Sequence, residues 1–548
     1  MIELTFNNDV TTVSGDYSKS DLDIITKACS YIVPNADWSE KYQSKVWDGT
    51  ISLFKKYNKS FPSGLLQDVE SALSDNNIKF KIVDSRPLPT KSSQCEADFG
   101  DLVLRDYQLE SIELVREKTR GILALCTAAG KTKTSCGIIS DLSTFPVFFV
   151  VPSVSLLKQT YNEFKEILKP TSDTFSIGKL GGGEFILADQ GVNVATYHTI
   201  LGAYNKKYSE SKKKIIDDDK SSNIENLMDM LAKMKIDLEF SPQSKHKSIK
   251  SKIKKVEKDI LLKQQQISNK KQIRELLEEC QLLIFDETHI AAEVIECLSL
   301  KCKKAYYKIG LTATPYRKDN QDKRMFGATG PIIKSVTASE LILRGFLSRP
   351  YIYQVDLSFI NKAGSNYQET YKKAIVENSY RNDLIKDFAE KMKAEGRSTL
   401  ILIDQLAHGK ILEETVEGCL FVPGKDGVDD SPIDDEELDY RKRQLDKLEK
   451  NEIIMAATSW ASTGIDAPKI SCIIFGGTVQ SPSTVIQQIG RGLRKSEGKE
   501  DCIIIDFKMG EKSLRNHSNE RLKTFKTEPE FSISMLKYKP GLDYSIKR

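Results

Sequence analysis

The feature that most constrains this chain is a rhythm of short apolar runs separated by helical patterns. GILALC, PVFFVVP, VNVATY, LLIFDE and KIGLTA come first, from about residue 101; YIYQVDL, STLILI, GCLFVPG, EIIMAAT, SCIIFGG and CIIIDF follow from about 345. Runs apolar along their whole length belong to strands buried on both faces, and strands separated by helices pair in parallel. Two consecutive α/β domains follow, and 548 residues leave room for a smaller domain ahead of them. The expected class is therefore α/β, with parallel-sheet domains over 96–340 and 345–510. A small α/β domain over 1–95, a helical insertion at 205–278 and a C-terminal helical extension over 511–548 complete the division.

The insertion is where the charge lies. Nineteen Lys+Arg against eleven Asp+Glu give residues 205–275 a net charge of +8, while the whole chain carries only +4. Ile249, Ile253, Val256, Ile260, Leu261 and Ile267 recur at helical spacings, as do Leu227, Met230, Leu231 and Met234. Two helices broken near SPQS at 241–244 make a hairpin arm; a charged linker without regular structure is the alternative. No strand-like run is apparent there. Ten scattered cysteines, none in a C-x-x-C pair, argue against structural zinc and suit a reducing compartment. The start MIELTFNNDV lacks the regions of a signal peptide, and no apolar run reaches the roughly 18 residues of a membrane span, so a cytosolic protein without a membrane partner is expected.

Two motifs carry chemistry. The run TAAGKT at 127–132 follows a strand and opens a helix, so backbone N–H groups and a helix N-terminus converge where an anion belongs. Ala129, Gly130, Lys131, Thr132 and Lys133 line this loop; Lys131 suits β- and γ-phosphates and the Thr132 hydroxyl suits Mg²⁺. Leu125 stands where the first glycine of such a loop usually does. LLIFDETH at 282–289 puts Asp286 and Glu287 directly after a second strand, one carboxylate for Mg²⁺ and one to polarise an attacking water. Together they make nucleoside triphosphate hydrolysis the leading expectation.

In this order the motifs resemble those of superfamily 2 helicases. LRDYQ (104–108) is similar to an adenine-reading Q motif, TAAGKT to motif I, PSVSLLKQT (152–160) to Ia, LGGG (180–183) to Ib and VATYHT (194–199) to Ic. DETH resembles motif II, LTATP (311–315) motif III, TSWASTGIDAP (458–468) motif V and QQIGRGLR (487–494) motif VI. The resemblance implies two RecA-like domains that bind ATP and Mg²⁺ in the cleft between them. Gln108 suits the adenine edge, with Arg105 or Tyr107 stacking on the ring, which favours ATP over GTP. Arg491 and Arg494, three apart on a helix, face the triphosphate from the second domain, and one of them is the arginine finger. Gly464 and Asp466 of motif V belong to the same cleft. Ser153, Gly182, Thr196 and Thr463 suit a phosphate backbone without reading bases. Thr312 and Thr314 should join the cleft to that track, His289 should bridge toward motif III or VI, and His198 and His408 are structural.

Outside this core, KVWDGTISLFKKYNKSFPSGLL (45–66) and LAHGKIL (406–412) resemble the phage UvsW helicases. That resemblance implies a small DNA-binding domain ahead of the motor and action on forked or branched DNA in recombination, repair or replication restart, in a host-cell cytoplasm. Trp47 can equally be a core residue with Asp48-Gly49 forming a hairpin turn. The competing functions are an RNA helicase, a restriction translocase and a non-catalytic DNA-binding scaffold.

Overall fold

The computed structural model describes residues 1–209, 214–217, 224–315, 320–360, 362–423, 435–458 and 467–537. Residues 1–84 contain a four-stranded sheet, the smallest of the three with more than two strands among the described residues. Strand Ile2–Phe6 lies between antiparallel Val10–Gly15 and parallel Phe80–Asp84, with Ser60–Pro62 on the far edge. Ile2, Leu4 and Phe6 are buried with period two, and helices Lys19–Ala28 and Leu66–Asp75 supply Ile25, Val69 and Leu73 to the core that Ile2 and Leu4 enter. Ser18 and Asp21 form a reciprocal capping box that fixes where the first helix begins.

The first large sheet has eight strands in the order Glu184–Ile186, Ile177–Gly181, Val192–Thr196, Val147–Val151, Leu282–Phe285, Tyr307–Thr312, Arg120–Leu125 and Ile332–Val336. All pairings are parallel except that of the first edge strand. The order matters more than the composition. Motifs II, III and I follow three adjacent central strands, and Ia and Ic follow the next two outward, so five motifs leave one edge of one sheet. The second large sheet is parallel throughout, in the order Cys419–Val422, Ile454–Ala457, Ser398–Leu402, Ile470–Phe475, Asp501–Met509, Arg349–Leu357 and Ser532–Lys537. These are the tandem parallel-sheet domains the sequence implies.

Three expectations need correction. Residues 511–537 are not an appended helical extension. Helix Lys512–Phe525 buries Leu514 and Phe525, and strand Ser532–Lys537 then pairs with Arg349–Leu357 as the outermost strand of the second sheet. The insertion does contain strands, a short antiparallel pair of Lys206–Ser209 with Lys214–Asp217 at its root. Its helical part is Ile224–Phe240 followed by Gln243–Glu279, so the hairpin reading holds over the linker one, with the break at Ser241-Pro242. Finally, Trp47 is half-buried rather than core, and its indole N–H donates to the Thr50 carbonyl at 2.6 Å. Asp48 closes that turn by accepting from the Thr50 N–H and hydroxyl at 2.9 and 2.7 Å.

The small domain is seated firmly on the first motor sheet. Arg120 opens a central strand yet is buried, because its guanidinium donates to the Asn8 carbonyl at 2.8 Å and lies over the Phe6 ring. Arg86 stacks between Phe6 and Tyr306, 4.4 and 4.3 Å from their centroids. On the other side, helix Asp322–Thr329, the next helix after motif III, receives the small domain: Lys323 reaches the Ala28 carbonyl and Asp68, and Arg324 donates to the Tyr31 hydroxyl at 2.9 Å. Gly64 permits this contact, since any Cβ there would collide with the Phe326 and Gly327 carbonyls.

Candidate active site

Strand Arg120–Leu125 ends in the loop 126–130, and helix Lys131–Leu142 begins at once. Leu125 needs no glycine's freedom because it is still strand, paired with Val336, and the turn begins at Cys126, whose N–H donates to the Val336 carbonyl at 3.1 Å. Ala128 (φ 69°) and Gly130 (φ 81°) are left-handed, so the loop folds back over the helix N-terminus. An alanine in that region is strained, by about 1–2 kcal/mol, and strain held at a phosphate loop marks it as a working part. Tyr107 braces the loop from below by donating its hydroxyl to the Ala129 carbonyl at 2.8 Å.

Opposite the loop, Glu287 is held at φ 48°, a second strained non-glycine position, with its N–H donated to Asp286 Oδ1 at 2.9 Å. Lys131 Nζ meets Glu287 Oε1 at 2.6 Å, both side chains about 15% exposed (15% and 14%). Burial pushes the Asp286 carboxyl up to about 6, against the pull of Lys131. Burial also pushes Glu287 up, but Lys131 and His289 with Arg491 bring it below its ordinary value. Glu287 therefore stands as an anion. His289 Nδ1 lies 2.9 Å from Thr312 Oγ1 and 3.4 Å from Glu287 Oε2, so it ties motif II to motif III, as its position in the sequence suggests. Thr312 Oγ1 also accepts from the Thr314 N–H at 3.1 Å.

The second sheet closes this site. Helix Pro482–Gly492 brings Gly490 against the loop, where a Cβ would stand 2.3 Å from Thr127 Cβ. Only glycine allows that approach; Gly490 lies within motif VI, but nothing in the run QQIGRGLR says what it must approach. Arg491 then faces Glu287 and Asp286, whose charges oppose the downward push of burial on its guanidinium. Arg494 faces Glu163 of helix Val154–Ile167 and Glu449 instead. The carboxylates whose charge acts most on the two arginines therefore differ.

Other expected residues sit less simply. Gln108 is committed within the protein: Oε1 accepts from the Arg105 N–H at 2.9 Å, and Nε2 donates to the Ala129 and Gly130 carbonyls at 3.2 and 3.4 Å. It props the phosphate loop rather than presenting an open amide. Tyr107 is 1% exposed and so is no stacking platform, which leaves Arg105 in that part of the expectation. Ser153 and Thr196 are N-caps, accepting from the Leu156 and Thr199 N–H groups at 3.3 Å each. Thr196 is 1% exposed, so its hydroxyl shapes its loop and is not placed to grip a phosphate. Gly182 (φ 63°) turns the chain beside Val154. Thr132 and Lys133 open the helix, half-buried. Thr463, Gly464 and Asp466 lie outside the described residues. His408 is structural as read, fully buried with Nε2 3.0 Å from Asn382 Oδ1.

A phosphate-binding loop, two carboxylates and an opposing arginine between parallel sheets define a nucleotide-driven motor of two RecA-like domains. A family model described as "Type III restriction enzyme, res subunit" matches residues 101–223, and the "Helicase conserved C-terminal domain" matches 433–496. These matches support an ATP-dependent superfamily 2 helicase. It is 23% identical over 505 residues to the DNA 3'-5' translocase XPB2 of Sulfurisphaera tokodaii, covering 86% of this chain and 92% of that one. It is 26% identical over 247 residues to the ATP-dependent DNA helicase uvsW of Enterobacteria phage T4, covering 43% of this chain and 47% of that one. Putative helicase 22 of a Sulfolobus islandicus filamentous virus is 24% identical over 43% of each chain. The chain thus matches about half the length of these viral relatives. The crystal structure of T4 UvsW aligns over 98% of this chain and 99% of that one at 19% identity, with a TM-score of 0.41. Among the described residues, no helix is long and apolar enough to cross a membrane.

Proposed function

We propose that this chain is an ATP-driven DNA motor that unwinds or branch-migrates forked and branched DNA. The observation that carries the reading is the meeting of Lys131, Asp286 and Glu287 from one sheet with Arg491 from the other. DNA is favoured over RNA because two of the relatives are named a DNA translocase and a DNA helicase. The basic hairpin and the small domain seated on the helix after motif III are the parts that meet a branch.

In this reading Lys131 and Glu287 neutralise each other until ATP arrives. The γ-phosphate then draws the ammonium away, and the freed Glu287 carboxylate takes a proton from the water that attacks the γ-phosphorus as the bond to the β-phosphate oxygen breaks. Arg491 stabilises charge on the transferring group, and its origin on the second sheet couples the chemistry to domain closure. Among the described residues the buried Thr127 hydroxyl has no hydrogen-bond partner, which fits a loop built to receive an anion. Among the described residues no three His, Cys, Asp or Glu converge on one point. Thr132 and Asp286 are an oxygen donor set of the kind Mg²⁺ takes; they would hold the ion, which would neutralise phosphate charge. Ser153 and Gly182, with Thr463, remain the candidates for sequence-independent backbone contact.

The test is a gel assay of the full chain on forked DNA, a four-way DNA junction and duplex RNA, with and without ATP. ATP-dependent strand separation or junction movement on DNA alone supports the reading. Activity confined to duplex RNA gives the RNA helicase alternative, and binding without ATP-dependent change gives the scaffold.

A further inference from the structure

With Nε2 of Gln108 shared between two backbone carbonyls and Oε1 already accepting from the Arg105 N–H, that amide has at most one acceptor site left for a nucleobase in this conformation. What lies beside it is a stack. The Arg105 guanidinium is 4.3 Å from the centroid of Phe346, a half-buried ring on the segment joining the two motor sheets. Arg344 lies 5.2 Å from the same centroid and 5.5 Å from that of Tyr107, and it is ion-paired with Asp106 of the Q-motif helix. Tyr107 meets Phe346 edge-on, with centroids 6.3 Å apart. The joint is shaped for this. Helix Ala338–Leu343 ends at Gly345 (φ 75°), and the chain doubles back so that the Phe346 N–H donates to the Leu341 carbonyl at 2.8 Å.

We propose that Phe346, together with Arg105, is the nucleobase shelf of the ATP site. Adenine has the flat π-face that both a guanidinium and a phenyl ring accept, and the shelf adjoins Gln108, whose amide already touches the phosphate loop. Two residues beyond Phe346, the Ser348 N–H donates to the Leu493 carbonyl at 2.8 Å, and Leu347 bridges Arg494. The ring that meets the base is therefore fastened to the end of the motif VI helix, and base occupancy is felt at the joint between the domains. The inference rests on the ATPase reading above and adds a residue that no motif of the Q, I, II or VI series contains.

The experiment uses the full chain carrying Glu287→Gln, so that bound ATP is not consumed. Three forms, with Phe346 retained, Phe346→Ala and Phe346→Trp, are titrated calorimetrically with ATP and with inorganic tripolyphosphate, both in Mg²⁺. Loss of one base–aromatic stack should weaken ATP by about tenfold in the alanine form. Tryptophan should restore it, and tripolyphosphate, which has no base, should bind all three alike. Equal ATP affinity in the alanine form overturns the proposal. So does parallel weakening of ATP and tripolyphosphate, which assigns Phe346 to packing. No binding of either ligand by any form overturns the ATPase reading and the shelf with it.

Discussion

At the scale of single residues, the cleft separates binding from chemistry. Lys131 serves the phosphates and Glu287 the water, so Lys131→Ala should lose both turnover and ATP affinity, while Glu287→Gln should lose turnover and still bind. Hydrolysis rates and equilibrium nucleotide binding measured on the two variants check this; normal turnover in Lys131→Ala would remove the loop from the site. Arg491, set against Glu287 and Asp286, should behave as a finger: Arg491→Ala should lower turnover at least about a hundredfold while ATP affinity stays within roughly tenfold. Arg494→Ala, beside Glu163 and Glu449, should cost much less turnover. A reversed order would move the finger to Arg494. Lys131, Asp286 and Glu287 were legible from sequence because phosphate and water chemistry needs those types directly after strands. The choice between the two arginines was not legible: their three-residue spacing reads as one helical turn, but the helix ends at Gly492 and Arg494 lies beyond it, bridged to Leu347. Gly490 was hidden for a related reason: its importance lies in Thr127, more than three hundred residues away in the chain.

At the scale of elements, the hairpin arm is the clearest case for a measurement. Helix Gln243–Glu279 has 37 residues and so spans about 55 Å. Its Ile253, Val256 and Ile260 are buried, and Lys235 of the first helix reaches Glu257 at 3.2 Å, while Lys245, Lys247, Lys250, Lys252, Lys254, Lys255 and Lys258 are exposed. The root is part of the motor domain: Ile273 and Leu277 enter its core, and Arg274 donates to the Ala203 carbonyl at 2.8 Å. Excising residues 206–275 whole would therefore damage the fold, and changing charge is the cleaner test. If the arm clamps DNA, replacing those seven lysines by glutamine should leave ATP hydrolysis without DNA intact and weaken binding to forked DNA. The slope of log affinity against log salt should flatten by about 0.9 for every phosphate that the arm no longer neutralises. An unchanged slope would leave the arm without a DNA role. The period of the apolar stripe made these helices legible. The strands beside them, KKYS and KIID, were not, because a pair of four-residue strands that packs only Tyr208 and Ile215 on the core needs no apolar run. Strand Ser532–Lys537 escaped for a similar reason: it lies at a sheet edge with Met535 47% exposed, so its apolar signal is thin.

At the scale of the whole molecule, the small domain and the first motor sheet share an interface that no local pattern announces. Phe6 is a buried residue of its own strand and also the ring under two guanidiniums, Arg86 and Arg120, the second of which burial and then Arg86 push down to about 9. Phe6→Ala should therefore cost about 3–5 kcal/mol, the range for a core phenylalanine, and lower the denaturation midpoint of the joined unit. A loss below about 1 kcal/mol by chemical denaturation would mean the two parts are seated independently. The number and type of domains could be read from the rhythm of strands. Their seating could not, because it depends on pairs such as Arg324 with Tyr31 and Arg120 with Asn8 that are far apart in the chain. The central claim is that the cleft between the two sheets hydrolyses ATP in response to DNA held by the same molecule. Its most direct measurement is the steady-state rate of ATP hydrolysis by the unaltered chain, first alone and then with forked DNA. The account predicts a slow rate alone and a rate raised severalfold by DNA. No hydrolysis, or the same rate with and without DNA, would contradict it.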